Sequence, residues 1–262
     1  MTTARRLDGI DTALIVLFLI GLYLGVSLQI TSKIPLTCAP SGVAGMAMLW
    51  RRRDSIRPAH LAGLFAVVAL YLGSVLAASD VSFLSKRFTG LIQLTYSLVI
   101  GYAMFLTLID AERDQVAKIL LIFCLCIIVG CLLENHTGLR AISDAVRDRL
   151  YAAGVVYDAD RRDEILYGRI RPKLFTSEPS AVTFAYTHYC SAWLIISRSR
   201  YKLAIYAGLV GLALVMLPGP TLVLMLLLAV PYLVLLAGAR AGRPQITRMI
   251  GAAALSSVVL GV

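Results

Sequence analysis

The chain has 262 residues, of which 59% are hydrophobic and 15% charged, and a formal net charge of +10. A mean hydropathy of +0.81 excludes an ordinary soluble domain and reads as a polytopic membrane protein. The basic excess does not imply nucleic acid, because Lys and Arg stand in short groups between apolar runs, the pattern of membrane-topology signals.

Apolar runs of membrane-crossing length are predicted at about 12–30, 34–50, 59–78, 88–109, 116–134, 179–197, 202–217, 220–238 and 248–262. Arg5 and Arg6 precede the first run, which no small-residue cleavage site ends, so it reads as a span rather than a signal peptide. Pro35, Pro40 and Gly42 interrupt the start of the second. The ninth is still apolar at Val262 and is expected to be incomplete. The expected fold is therefore an all-α, polytopic helical bundle of about nine spans, with one long loop carrying a short amphipathic helix. Three regions follow: N-terminal spans over 1–134, a loop over 135–178, and C-terminal spans over 179–262.

Lys/Arg placement sets the orientation. Arg5 and Arg6, then Arg51–Arg53 and Arg57, then Arg113 and Lys118, then Arg198, Arg200 and Lys202, then Arg240, Arg243 and Arg248 all fall on one side. That side is expected to be the cytoplasm, with the N-terminus inside and the 135–178 loop outside. The Leu217-Pro-Gly-Pro220 connection is then a tight outer turn.

Within the loop, Leu139, Ile142, Val146 and Leu150 recur at helical spacing, with Asp144, Arg147 and Asp148 between them. An amphipathic helix at the membrane interface is expected. Residues 158–164 read as a charged turn or solvated stretch. Arg169, Arg171 and Lys173 then alternate, and Pro172 favours extension at Arg171. An extended backbone would bring all three to one edge, with donors suited to a diphosphate. Contact with lipid headgroups, or pairing with Asp163 and Glu164, would use the same spacing.

Glu178-Pro179-Ser180 marks a helix start, with Pro179 at the first turn and Ser177 as a candidate cap. Glu178 either favours the helix dipole or acts as a base. The following span is polar for its kind, with Ser180, Thr183, Thr187 and Ser191 along one face, and Tyr186, His188 and Tyr189 besides. An ionisable His188 within a span is a functional candidate; a neutral histidine bonded to a neighbouring helix is the alternative. His136 and Arg87 lie at outer ends of spans and could add to an outer site. Four of the five cysteines lie in apolar runs, no CxxC or zinc spacing occurs, and neither a metal nor another cofactor is expected.

The basic stretch followed by Phe175, Glu178, Pro179 and Ser180 at the head of a span resembles the O-antigen polymerase/ligase superfamily, in particular the polymerases of bacterial exopolysaccharide and capsule clusters. In that family an Arg-x-x-Gly-x-Phe-x-Glu-Pro-Ser-like segment enters the membrane from the periplasm. Arg171, Phe175, Glu178, Pro179 and Ser180 match it. Lys173 and Leu174 stand in the region where the pattern carries glycine.

The resemblance implies a metal-independent membrane glycosyltransferase of the bacterial inner membrane. It would join glycan units from undecaprenyl-diphosphate-linked donors at the periplasmic face, alongside other polysaccharide assembly proteins. Arg169, Arg171 and Lys173 would hold the diphosphate. Glu178 and His188 would be the catalytic candidates, and Ser180, His136 and Arg87 secondary ones. The family usually carries ten or more spans and a second functional outer loop, so the chain is expected to be a shortened member. Two other readings fit the same sequence: a transporter or flippase of lipid-linked glycans, and a noncatalytic subunit of a polysaccharide assembly complex.

Overall fold

The computed structural model describes residues 5–31, 34–77, 83–152, 155–223 and 227. Two compact units are present, Met1–Val116 and Ala117–Val262. The regular elements of the described residues are helices, apart from one short antiparallel hairpin.

In the first unit, α1 (Gly9–Leu24) is capped by Asp8, whose carboxylate accepts the Asp11 N–H at 2.6 Å. The helix stops at Gly25, which takes φ 64°, and so ends before the predicted limit of that run. The hairpin follows, β1 (Leu28–Thr31) pairing with β2 (Ile34–Leu36), Leu28 opposite Leu36. The prolines noted in the second run place Pro35 in β2 and delay α2 (Ala39–Arg51) until Ala39. A 3-10 turn, Arg53–Ser55, leads to α3 (Pro58–Leu76) and α4 (Leu84–Leu108).

Helix α2 packs on both α1 and α4. Small residues permit the approach: a Cβ on Gly45 would sit 2.9 Å from Ile100 Cβ, and Ser41 Oγ donates to Phe18 O at 2.7 Å. Asp11 is buried near the start of α1, with ion pairs to Arg5 (3.0 Å), Arg51 (3.1 Å) and Arg52. Arg51 also reaches Asp8 at 2.8 Å. Basic residues read from sequence as topology signals thus share a buried carboxylate.

In the chain's second half, α5 (Arg113–His136) is followed by α6 (Leu139–Leu150), α7 (Asp160–Tyr167), α8 (Pro179–Ile196) and α9 (Lys202–Met216). Tyr186 of α8 donates to Leu209 O of α9 at 2.9 Å, and Phe123 of α5 meets the Tyr189 ring edge-on. Apart from residues 220–223 and 227, the predicted spans at 220–238 and 248–262 lie outside the described residues.

Three helices, α3, α4 and α5, are long and apolar enough to cross a membrane, and α1 and α9 are shorter apolar helices. Helix α3 buries Val75 but leaves Phe65, Leu70 and Leu76 exposed. An apolar face of this kind needs lipid or protein against it, and together the three helices point to a membrane protein. Helix α8 is 18 residues long, but its hydroxyl and His188 side chains dilute its hydropathy, and it is not one of the three.

One local expectation is corrected. Residues 158–164 do not form only a charged turn, because α7 begins at Asp160. Its Asp160 and Asp163, one turn apart, meet Lys173 and Arg171, and these pairs favour the helix. Helix α6 forms where its apolar period predicts; its buried residues are Ser143 and Arg147, while Ile142 and Leu150 are exposed. The polar face of this amphipathic helix is the one that packs on the protein.

Candidate functional site

The basic segment between α7 and α8 is an irregular strap whose backbone is tied down residue by residue. Glu134, near the end of α5 and 2% exposed, accepts the N–H groups of Lys173 (3.3 Å) and Leu174 (2.5 Å). Ser143 Oγ accepts the Phe175 N–H at 2.9 Å, and Tyr151 donates its hydroxyl to Phe175 O at 3.1 Å. The Tyr157 N–H reaches Ser177 O at 2.9 Å. Thr176 N–H closes a turn onto Lys173 O at 2.8 Å.

These ties hold an uncommon backbone. Leu174 (φ 34°) and Phe175 (φ 66°) are consecutive non-glycine residues in the left-handed region. Such residues cost on the order of 1–3 kcal/mol each and persist where their surroundings over-determine them. Here the N–H groups of residues 173 and 174 converge on one carboxylate, as consecutive N–H groups converge on an anion in a nest. Leu174 is itself buried, and Gly130 of α5 makes room for it: a Cβ there would lie 2.6 Å from Leu174 Cδ2.

The three alternating cations do not form one row. Arg169 goes to α9, while Arg171 and Lys173 go to two carboxylates one turn apart on α7. Arg169 donates through Nη2 to Val215 O in the last turn of α9, where a cation favours the helix dipole. Arg171 pairs with buried Asp163 (Nη2–Oδ1 2.9 Å; Nε–Oδ1 3.0 Å), and its guanidinium lies 4.8 Å from the Tyr167 ring centroid. Lys173, itself buried, pairs with Asp160 at 2.8 Å.

Burial alone would push the Asp163 carboxyl up. Hydrogen bonds from Arg171 and from the Tyr157 hydroxyl (3.0 Å) outweigh it and hold the group below its ordinary value. Burial likewise disfavours the charged Arg171, but its bond to Asp163 outweighs that and raises its pKa. Of the acidic partners left open by the sequence, Asp163 is therefore used, by Arg171. Lys173 takes Asp160 rather than Glu164.

The remaining candidates are dispersed. Glu178 is the N-cap residue of α8 and is exposed; its side chain makes no capping bond, and Ser177 is not the cap. Ser180 is half-buried in the first turn. His188 lies ten residues beyond Glu178, about 15 Å along the helix axis. It is exposed, with Nδ1 2.8 Å from Phe184 O of its own helix, so it is not the interhelical histidine also considered. His136 is exposed at the end of α5. Arg87 belongs to the first unit, in α4, where its N–H donates to Phe83 O. Glu178 stands at the head of α8, whereas Arg169 is anchored on α9 and Arg171 on α7.

Glu134, Ser143 and Arg147 were not singled out from the sequence. Arg147 is 3% exposed, and burial lowers its pKa against the opposing charges of Glu134, Asp160 and Asp148. Two signals were present: a glutamate near the end of an otherwise apolar span, and a serine and an arginine four residues apart on one face of α6. Among the described residues no cluster of three or more His, Cys, Asp or Glu could hold a metal ion. No family model, curated protein or solved structure matches the chain.

Proposed function

We propose that the chain is a membrane glycosyltransferase of the O-antigen or exopolysaccharide polymerase/ligase type, with about nine spans, its N-terminus in the cytoplasm and the 135–178 loop on the periplasmic side of a bacterial inner membrane. The observation that carries this reading is the strap. Leu174 and Phe175 adopt the backbone that glycine enters freely, in the region where the family pattern has its glycine, just ahead of Glu178-Pro179-Ser180. The segment behaves as a fixed turn between the anchored Arg169 and Arg171 and the α8 N-cap residue Glu178. Arg169 beside the α9 end, and Arg171 Nη1 beside Gly219, also support a common side for the loop and the Leu217–Pro220 turn.

In this reading the donor is a glycan on undecaprenyl diphosphate. Arg171 and Arg169 release their protein acceptors to the diphosphate oxygens and stabilise the charge that develops as the sugar bond breaks. Glu178, exposed at the head of α8, takes the proton of the acceptor hydroxyl. The acceptor oxygen forms the new bond to the anomeric carbon, and the diphosphate leaves with the electron pair of the old one. His188 stands too far along α8 to share that step.

The test is the fate of lipid-linked repeats in cells whose own copy is replaced by Arg171→Ala or Glu178→Gln, with Arg171→Lys as a charge-keeping control. The reading expects loss of polymer with single repeats accumulating on the outer leaflet. Accumulation on the inner leaflet would identify a flippase, and undiminished polymer from Glu178→Gln would remove Glu178 as the base.

A further inference from the structure

Helix α6 is tied to the end of a membrane-crossing helix, and the ties fix its depth. Helix α5, at 24 residues, is about 36 Å long and crosses a hydrocarbon core of roughly 30 Å, which puts its polar end, Glu134-Asn135-His136, at one membrane surface. Helix α6 begins three residues later, at Leu139, and Arg140 Nη2 donates back to Asn135 Oδ1 at 3.3 Å. Farther along, Ser143 Oγ and Glu134 take consecutive backbone N–H groups, those of Phe175 and Leu174. Neighbouring residues are only about 3.8 Å apart, so the middle of α6 stands beside Glu134. The helix lies against the end of α5 and does not project away from it.

Round α6, three sides meet different surroundings. Ser143 and Arg147 are buried against the protein. Asp144 and Asp148 line the open cleft toward α7. At about 100° per residue, Leu139, Ile142, Val146 and Leu150 fall on an arc centred nearly half a turn from Asp148. Ile142 is 58% exposed and Leu150 is exposed too, while Leu139 and Val146 are half-buried. Arg149, exposed, stands at the edge of that arc next to Ile142, where its stem covers lipid and its guanidinium reaches phosphate. At the depth of the α5 end, the row meets the glycerol and upper acyl region of a leaflet, the medium in which an amphipathic helix buries its apolar side. Protein is the poorer cover: four side chains, two of them half-buried, offer much less than the roughly 800 Å² per side of a stable interface.

We propose that α6 docks Leu139, Ile142, Val146 and Leu150 into the phospholipid leaflet at the α5 end, and that this contact holds the strap. The protein-facing side of the same helix supplies Ser143 to the Phe175 N–H, and its C-cap residue Tyr151 donates to Phe175 O. The left-handed Phe175 is thus bracketed, at both its backbone groups, by a helix that lipid keeps in place. This docking needs a membrane but not the transfer reading, and it stands if that reading fails.

The test uses the full chain in phosphatidylethanolamine/phosphatidylglycerol liposomes, with Cys38→Ala and Cys126→Ala, the other three cysteines being buried. Nitroxide labels are attached through Ile142→Cys or, on the cleft side, Asp148→Cys. Power-saturation EPR then compares collisions with oxygen, which concentrates in lipid, and with a water-soluble nickel chelate. Position 142 should favour oxygen and position 148 nickel. Nickel access at 142 as high as at 148 puts the row in water and overturns the docking. Exclusion of both reagents from 142 puts protein over it, either the first unit or a second copy, and does the same. The hold on the strap is read by hydrogen exchange in the same liposomes, with thermal unfolding as the folding control. Ile142→Asp should speed exchange of the Phe175 amide about tenfold, and Asp148→Ala should leave it unchanged. Ile142→Ser is measured beside them, so the comparison survives an unfolded aspartate variant. Phe175 exchange in the folded Ile142 variants equal to that of the native chain overturns the hold on the strap. None of these readings depends on polymer formation.

Discussion

Glu134 Oε2 accepts the N–H of Leu174 at 2.5 Å, and Glu134 Oε1 takes the N–H of the residue before it. One buried carboxylate on α5 thus fixes a backbone forty residues away that is held in the left-handed region. Leu174 is held from both sides: its N–H by Glu134, and its side chain by the space above Gly130.

Removing that acceptor should release the strap. Glu134→Ala leaves two buried N–H groups without partners and is expected to destabilise the second unit by about 3 kcal/mol, with Glu134→Gln losing less. Hydrogen exchange reads the local effect: the amides of Lys173 and Leu174 should lose protection before those of α8. Unchanged protection at both amides in Glu134→Ala would show that the carboxylate does not hold the strap.

Filling the space beneath Leu174 should act from the other side. Leu174 Cδ2 lies 2.6 Å from where a Cβ at position 130 would sit, so Gly130→Val drives a branched side chain into it. Overpacking of this kind costs about 1–3 kcal/mol. The loss should shrink when Leu174→Ala is added, which a double-mutant cycle measures directly.

The Asp163–Arg171 pair makes a pH prediction. The Asp163 carboxyl lies below its ordinary value in the folded chain, so its ionised form favours folding. Its contribution is complete above the unfolded carboxyl value of about 3.9 and is lost as pH falls through the lower folded value. Asp163→Asn should therefore be less stable than the native chain at neutral pH, by about 3 kcal/mol if the part-buried Arg171 finds no other acceptor. The difference should narrow as pH drops below about 4. Unfolding curves in detergent across that range give the answer, and a pH-independent difference would contradict the pairing.

Cys190 Sγ of α8 lies 3.3 Å from Cys124 Sγ of α5, and both thiols are buried. A membrane-permeant oxidant such as iodine should join them within one chain, with two electrons passing to the oxidant. Peptide mapping should find the 124–190 link, and Cys124→Ala should abolish it. Cross-linking of Cys190 to exposed Cys126 instead would place a different face of α5 against α8.

At the other end of the chain, Asp11 holds Arg5, Arg51 and Arg52. Asp11→Ala leaves cationic groups without their shared buried acceptor and should cost about 3–5 kcal/mol. Replacement of partly exposed Arg5, which also has Asp8 within reach at 3.5 Å, should cost less, and thermal unfolding of the two variants orders them.

Much of the helical layout was legible in the sequence. Runs of apolar residues marked α3, α4, α5, α8 and α9 to within a few residues, because hydrophobic length is a local property. Gly25 and Pro35 show where the limits moved: a left-handed cap shortened α1, and a proline in β2 delayed α2. The period of Leu139, Ile142, Val146 and Leu150 found α6, but not that Ser143 on its other face would accept the Phe175 N–H of the strap.

By itself, the sequence determined the membrane character of the chain, the helix-starting Glu178-Pro179, and the grouping of cations ahead of it. Each depends on composition or on neighbours within a few positions. Only the tertiary structure decided where those cations go. Arg169, Arg171 and Lys173 look equivalent at alternating spacing, yet Arg169 finds its acceptor on α9 and the other two theirs on α7, and Glu134 from α5 holds the turn that follows. Spacing records which side chains are available; the free energy of a buried charge or a buried N–H depends on the partner that folding brings to it.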